Sequence, residues 1–286
     1  MISQGGAIVT LAHGSGGRLS HELIERVFCR RFDNQWLRQG DDAAAFSIQG
    51  SGSRLAFSTD SYVVKPLFFP GGDIGRLAVC GTVNDLAMKG ARPLLLSAGF
   101  IIEEGFPLAD LERVAGSMAA AAAEAGVPIA TGDTKVVDRG CCDGLFINTS
   151  GIGAIPEGVD LSGANARPGD AVIVSGTLGD HSVAVMNARH GFGLSGDLAS
   201  DVAPLADLVR AMLDAGGVRV LRDPTRGGLA TTLNEIAGQS RVSITVEEQA
   251  LPVRPQVRGA CEMLGLDPLY CANEGKLVAV ADPGAA

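Results

Sequence analysis

Between residues 155 and 170 the chain reads Ile155-Pro156-Glu157-Gly158 and then Arg167-Pro168-Gly169-Asp170, a loop-rich stretch separating two series of interleaved strand and helix patterns. That break points to two domains rather than one continuous sheet. A length of 286 residues fits two units of roughly 150, and 46% hydrophobic residues supply a core for each. The expected boundaries are 1–157 and 168–286, in a mixed α+β or α/β fold.

In the first half, strands are expected at 55–59, 94–102, 127–131 and 145–155. An amphipathic helix is expected over 19–32, with Leu23, Val27 and Phe28 inward. Another opens at Pro107 and ends at Gly126, with Leu108, Leu111, Val114, Ala115, Met118 and Ala122 on one stripe. The second half predicts strands at 171–175, 218–221, 243–247 and 277–281. Helices are expected from His181, over 204–215, after Gly228 and around 256–264. No helix pattern follows the last strand to cover it, so a truncated C-terminus is expected.

Twenty-three basic against 32 acidic residues leave a net charge of −9, which disfavours nucleic acid and anionic membrane as broad partners. The longest apolar run, 94–102, is broken by Ser97 and is far short of the roughly 20 residues of a membrane helix. No signal-peptide pattern opens the chain, so a soluble cytoplasmic protein is expected. The six cysteines form no C-x-x-C pair and the four histidines no ligand spacing, which favours reduced thiols and argues against a zinc site. Glycine, at 39 residues, is about twice its usual share, as many turns or close ligand approaches require.

Carboxylates recur beside glycine or at strand ends: Gly40-Asp41-Asp42, Thr59-Asp60-Ser61, Asn84-Asp85, Gly132-Asp133-Thr134-Lys135, Asp223-Pro224-Thr225-Arg226-Gly227-Gly228 and Asn273-Glu274-Gly275-Lys276. Singly, each is turn or cap chemistry as readily as a ligand. Several together suit Mg²⁺ held by one or two carboxylates and nucleotide phosphates. On a helix starting at Ile74, positions 74, 78, 81, 85 and 88 share a face that is otherwise Ile74, Ala78, Gly81 and Met88. Asp85 therefore faces inward and needs a cation or strong donors, or else pairs with Lys89 one turn on. Asp42 and Asp60 are expected outside regular elements, Asp60 just past its strand. Lys135, at a strand end, aims at a phosphate or into solvent. Glu274 is a general base or a turn residue. His13-Gly14-Ser15-Gly16-Gly17 offers backbone N–H groups to phosphates or is a flexible arm. Asp223-Pro224-Thr225 opens a helix whose first amides can take an anion.

In order along nearly the whole chain, the strings 11–17, 57–62, 66–72, 80–85, 131–137, 175–181, 222–228 and 272–276 resemble the HypE carbamoyl dehydratases. These are hydrogenase maturation proteins of the superfamily that also holds aminoimidazole ribonucleotide synthetase and selenophosphate synthetase. The resemblance implies an aminoimidazole ribonucleotide synthetase-like fold: an N-terminal ATP-binding domain that forms a β-barrel with a second copy, and a C-terminal α/β domain. It implies ATP and Mg²⁺ as cofactors, with Asp42, Asp60 and Asp85 on the metal. His13, Gly14, Ser15, Gly16, Gly17, Asp133, Thr134 and Asp223 would bind the nucleotide, and Lys135 and Glu274 would serve the chemistry. The implied reaction is ATP-dependent dehydration of a carbamoyl group on a C-terminal cysteine to a thiocyanate. The implied partners are a second copy, a HypF-type carbamoyltransferase and a HypC–HypD scaffold that receives the nitrile for [NiFe]-hydrogenase iron. In this family the chain continues several tens of residues further to Pro-Arg-Ile-Cys, whereas this sequence stops at Ala286, so the acceptor cysteine is expected to be missing. Two other readings are another ATP-dependent synthetase or kinase of the superfamily and a non-catalytic ATP-binding docking module.

Overall fold

The structure, a computed structural model, describes residues 8–50, 52–194 and 197–285. After a 3-10 turn at Leu11–Gly14 comes the short helix α1 (Arg18–Leu23), which runs on into wider π-turns at Ile24–Cys29. Strands β1 (Ala44–Ser47) and β2 (Arg54–Tyr62) follow, then the small hairpin β3 (Phe68–Phe69) and β4 (Gly72–Asp73). Helix α2 (Ile74–Met88), β5 (Arg92–Glu103), α3 (Leu108–Glu124), β6 (Ile129–Val137) and β7 (Leu145–Ile155) complete the first half. The sheet order is β1-β2-β7-β5-β6, antiparallel except for β5 and β6, which α3 joins as a parallel crossover.

Asp73 starts α2 by accepting hydrogen bonds from the Gly75 and Arg76 amides at 2.8 and 3.0 Å. Apart from Arg76 and Asp85, every residue of α2 is buried. It lies inside the molecule, between the sheet and the second half. Gly81 is required there, because a Cβ would stand 2.3 Å from the Tyr62 hydroxyl. The stripe of α3 is narrower than its sequence predicts: Val114, Met118, Ala121 and Ala122 are buried, while Leu108 and Ala115 lie on the solvent side.

Beyond β7 no helix or strand occurs until β8 (Ala171–Val174). Then come α4 (Asp180–His190), α5 (Ala206–Ala215), β9 (Val218–Arg222), α6 (Gly228–Ser240), α7 (Pro255–Leu264) and β10 (Val278–Ala281). The fully buried β10 is the centre of a β8-β10-β9 antiparallel sheet. Ala87 and Met88 of α2 share a core with Leu205, Val209 of α5, Leu221 and Leu277, so the two halves pack through α2.

Four expectations need correction. Val27 and Phe28 are 47% and 44% exposed, because periodicity identifies an apolar face without supplying its cover. Residues 243–247 form no strand: Ile244 packs into the core, yet no ladder partner lies beside the segment among the described residues. Asp60 lies within β2, paired with Thr149 of β7, not past its end. Likewise β6 runs through Asp133, Thr134 and Lys135, because pairing with Gly99, Phe100 and Ile101 carries the ladder across polar residues. As an exposed edge strand, β6 tolerates them.

Among the described residues nothing covers the sheet face away from α2 and α3. Phe57, Leu95, Ile101 and Ile152 are each between 37% and 47% exposed there.

Candidate active site

Strand alternation puts Ser58 and Asp60 on the face of β2 that meets α2. There the Ser58 hydroxyl donates to Asp85 at 2.5 Å, so the inward reading of Asp85 holds. Its alternative, a pair with Lys89, does not: Lys89 turns the other way, to Asp41 at 2.7 Å and the Leu161 carbonyl at 2.5 Å. Asp223 follows β9, and Glu274 lies just ahead of β10.

These carboxylates meet in a cleft between the halves. It has a large arm of about 1210 Å³ and a small arm of about 400 Å³. Asp60, Asp85, Asp223, Thr225 and Arg226 line both. The large arm adds His13, Gly14, Gly16, Gly17 and Asp42. Tyr62, His181, Ser182, Arg189 and Glu274 line the small one. The glycine segment is seated by contact, since a Cβ on Gly16 would fall 2.8 Å from the Arg226 carbonyl oxygen. Ser15 turns back on its own segment, donating to the Ala12 carbonyl, and does not line the cleft.

Burial and mutual repulsion raise the proton affinity of the cluster. Asp223 is pushed up to about 8 by burial and by Asp42; Asp42 reaches about 6 by burial, against the lowering effect of Arg222. Asp85 and Glu274 both stand well above the ordinary carboxylate range, through burial first and the nearby Asp223 charge second. Such crowding favours a cation.

Asp42, Asp60 and Asp85 do not form a ready three-carboxylate cage: among the described residues no three His, Cys, Asp or Glu side chains are placed to hold a metal. Arg222 takes Asp42 at 2.5 Å and Ser58 takes Asp85, which turns the carboxylates to separate partners. Among the described residues the Oδ2 oxygen of Asp42 is buried with no hydrogen-bond partner. These residues fit a Mg²⁺ that arrives with phosphates and needs only one or two carboxylates. They do not fit a resident structural ion.

Lys135, Asp133 and Thr134 are not brought to the cleft of a single chain. Lys135 pairs with Asp133 at 3.0 Å on the exposed edge, their side chains 69% and 70% exposed. The alternative of a surface turn at Glu274 is likewise replaced by its place in the small arm. Sequence reasoning assigned no role to Arg222 or Asp41, whose only signal was a charge beside an apolar strand or a paired Asp-Asp.

Two family descriptions match: AIR synthase related protein, N-terminal domain, over residues 40–155, and its C-terminal domain over 167–286. The fold and cleft thus define a protein of the AIR synthase related class. Carbamoyl dehydratase HypE of Rhizobium leguminosarum bv. viciae is 61% identical over 277 residues, 96% of this chain and 79% of that one. A HypE–HypF complex superposes with a TM-score of 0.88 at 54% identity, covering 92% of this chain and 85% of that chain. A hydrogenase maturation protein HypE in complex with ATP gives 0.80 at 56% identity, over 98% and 83%. The chain belongs to the HypE carbamoyl dehydratase family. Among the described residues no helix is long and apolar enough to cross a membrane.

Proposed function

We propose that the large arm binds ATP with Mg²⁺ and that the small arm takes the S-carbamoyl group of a C-terminal cysteine, which is dehydrated to a thiocyanate for [NiFe]-hydrogenase iron. The observation that carries this reading is the junction. Asp60, Asp85 and Asp223 line both arms, so a phosphate in one and an amide in the other meet at the same carboxylates.

Asp85 and Asp60, with Asp42 nearby, would hold a Mg²⁺ that arrives with the nucleotide, and the ion would supply charge compensation and polarisation of the phosphoryl group. The start of α6 after Asp223 offers backbone N–H groups to the phosphates, and the glycine segment 13–17, whose His13, Ser15 and Gly16 amides bond to the segment itself and its flanks, lies over them. An amide oxygen leaves poorly as hydroxide and well as phosphate. It attacks the γ-phosphorus, ADP leaves, and one nitrogen proton passes to Glu274. The C–O bond then breaks and the C≡N bond closes, the second nitrogen proton leaving on the released hydrogenphosphate. A HypF-type carbamoyltransferase would load the sulfur and a HypC–HypD scaffold would take the nitrile. The test is to supply Mg·ATP and a peptide ending in S-carbamoylcysteine. Loss of one water from the peptide with ADP formation supports the reading, and an unchanged peptide sinks it.

Asp85→Asn keeps the size of the side chain and removes its charge. Its affinity for Mg·ATP is expected to fall by about 10- to 100-fold, as for losing a charged contact of about 1.5–3 kcal/mol. Calorimetry showing equal affinity would remove Asp85 from the cation site.

The open sheet face and the exposed edge β6 support a homodimer in which a second copy closes a barrel over Phe57, Leu95, Ile101 and Ile152. Lys135, Asp133 and Thr134 take their part in that dimer, where the β6 edge is covered. Sedimentation is expected to show twice the 29.3 kDa chain mass, and a single 29.3 kDa species contradicts it.

A further inference from the structure

His181 is the second residue of α4, and the mechanism above makes no use of it. Its side of the cleft is unusually well fixed. The neighbouring Ser182 hydroxyl accepts from the Ala272 amide at 2.7 Å, and the Gly179 amide donates to Asn273 Oδ1 at 2.8 Å. The start of α4 is therefore stitched to the segment that ends in Glu274. His181 and Glu274 line the same small arm from these two joined pieces.

The ring itself is only 8% exposed and stands edge-on to Phe69, centroids 5.6 Å apart at 89°. Its Nδ1 lies 2.8 Å from the Ser200 hydroxyl, and that oxygen already accepts from the Val202 amide at 3.2 Å. Among the described residues the Ser200 hydroxyl has no other acceptor, so its proton is assigned to Nδ1, which leaves the imidazole proton on Nε2. Burial lowers the imidazole pKa to about 4, so the ring is neutral near pH 7. Among the described residues Nε2 has no hydrogen-bond partner.

We propose that His181 is a further catalytic residue: its neutral Nε2–H, oriented by Ser200 and Phe69, donates to the carbamoyl oxygen in the small arm. One lone pair of that oxygen accepts from Nε2–H and the other attacks the γ-phosphorus. After transfer the same donor sits on the bridging oxygen and assists its departure with the phosphate. His181 neither gains nor loses a proton, and Glu274 keeps its part at the nitrogen. A fixed donor aimed at an oxygen whose charge changes during reaction acts as an oxyanion-type stabiliser. The inference rests on the dehydratase reading of the cleft.

The test compares His181→Leu, which removes the donor, with His181→Gln, whose amide N–H reaches the position of Nε2. Peptide-dependent ADP formation is expected to fall about 10²-fold in His181→Leu and to recover to within about tenfold of the parent in His181→Gln. ATP affinity by calorimetry should be unchanged in both, which also shows that they fold. Ser200→Ala keeps the ring and frees its tautomer, and about a tenfold loss is expected, as for one hydrogen bond. A His181→Leu protein as active as the parent overturns the proposal. So does a His181→Gln protein no better than His181→Leu, which would reduce the residue to packing. If the parent itself leaves the S-carbamoyl peptide untouched, the dehydratase reading fails and this inference falls with it.

Discussion

Glu274→Gln is expected to lower S-carbamoyl-dependent turnover by about 10²–10⁴-fold while leaving Mg·ATP binding in place, the range seen when a general base is lost. The size of the effect follows from how firmly this residue is held. Its backbone N–H donates to Asp201 at 3.1 Å, and its carbonyl accepts from the Asn84 amide at 3.3 Å, so α2 and the second half grip it together. The next residue has to be glycine, because a Cβ on Gly275 would stand 1.8 Å from the Asp201 carbonyl oxygen. Burial and the Asp223 and Asp201 charges raise the proton affinity of Glu274, which suits it to take a proton from nitrogen. Glutamine preserves the shape and cannot accept that proton. Single-turnover measurement of the peptide product, beside ATP calorimetry, separates the two steps. A Glu274→Gln protein within about threefold of the parent would show that the proton goes elsewhere.

Lys89→Met is expected to destabilise the fold by about 3–5 kcal/mol, with the melting temperature falling on the order of 10 °C. Lys89 and Asp41 face each other at 2.7 Å with side chains only 6% and 5% exposed. The Gly163 amide completes Asp41 at 2.9 Å, and the Leu161 carbonyl accepts from Lys89. Methionine fills the space and leaves the Asp41 carboxylate buried without its cation. The penalty is that uncompensated charge, rather than the value of the pair, so adding Asp41→Leu should recover much of the loss. Lys135→Ala breaks an exposed pair and should change stability by less than about 1 kcal/mol. Denaturant unfolding of the three variants checks this. A Lys89→Met protein within about 1 kcal/mol of the parent would mean that water reaches Asp41.

How much of this was legible depends on distance along the chain. Helix α2 repeats every 3.6 residues, so the inward face of Asp85 could be read from Ile74, Ala78, Gly81 and Met88 alone, and all four are buried. Strand β7 was expected at 145–155 and occupies Leu145–Ile155, because its alternation and flanking turns are local signals. Lys89 shows the limit. A helix turn offered Asp85 as its partner, whereas the folded chain supplied Asp41 from 48 residues away. Arg222 and Asp42 are 180 residues apart, and no pattern within either segment announces their contact. The same limit explains Val27 and Phe28, whose apolar spacing was plain and whose exposure depends on what lies opposite.

By itself the sequence determined the family, through an ordered set of short strings, and it determined the elements whose period is written in a few consecutive turns. The tertiary structure alone decided which carboxylates share the junction of two arms, which of them are already held by Arg222 or Ser58, and that β6 carries Lys135 away from the cleft of its own chain. The reason is physical. Backbone periodicity is set by neighbours a few residues off, whereas burial, pairing and proton affinity are set by groups that only packing brings together.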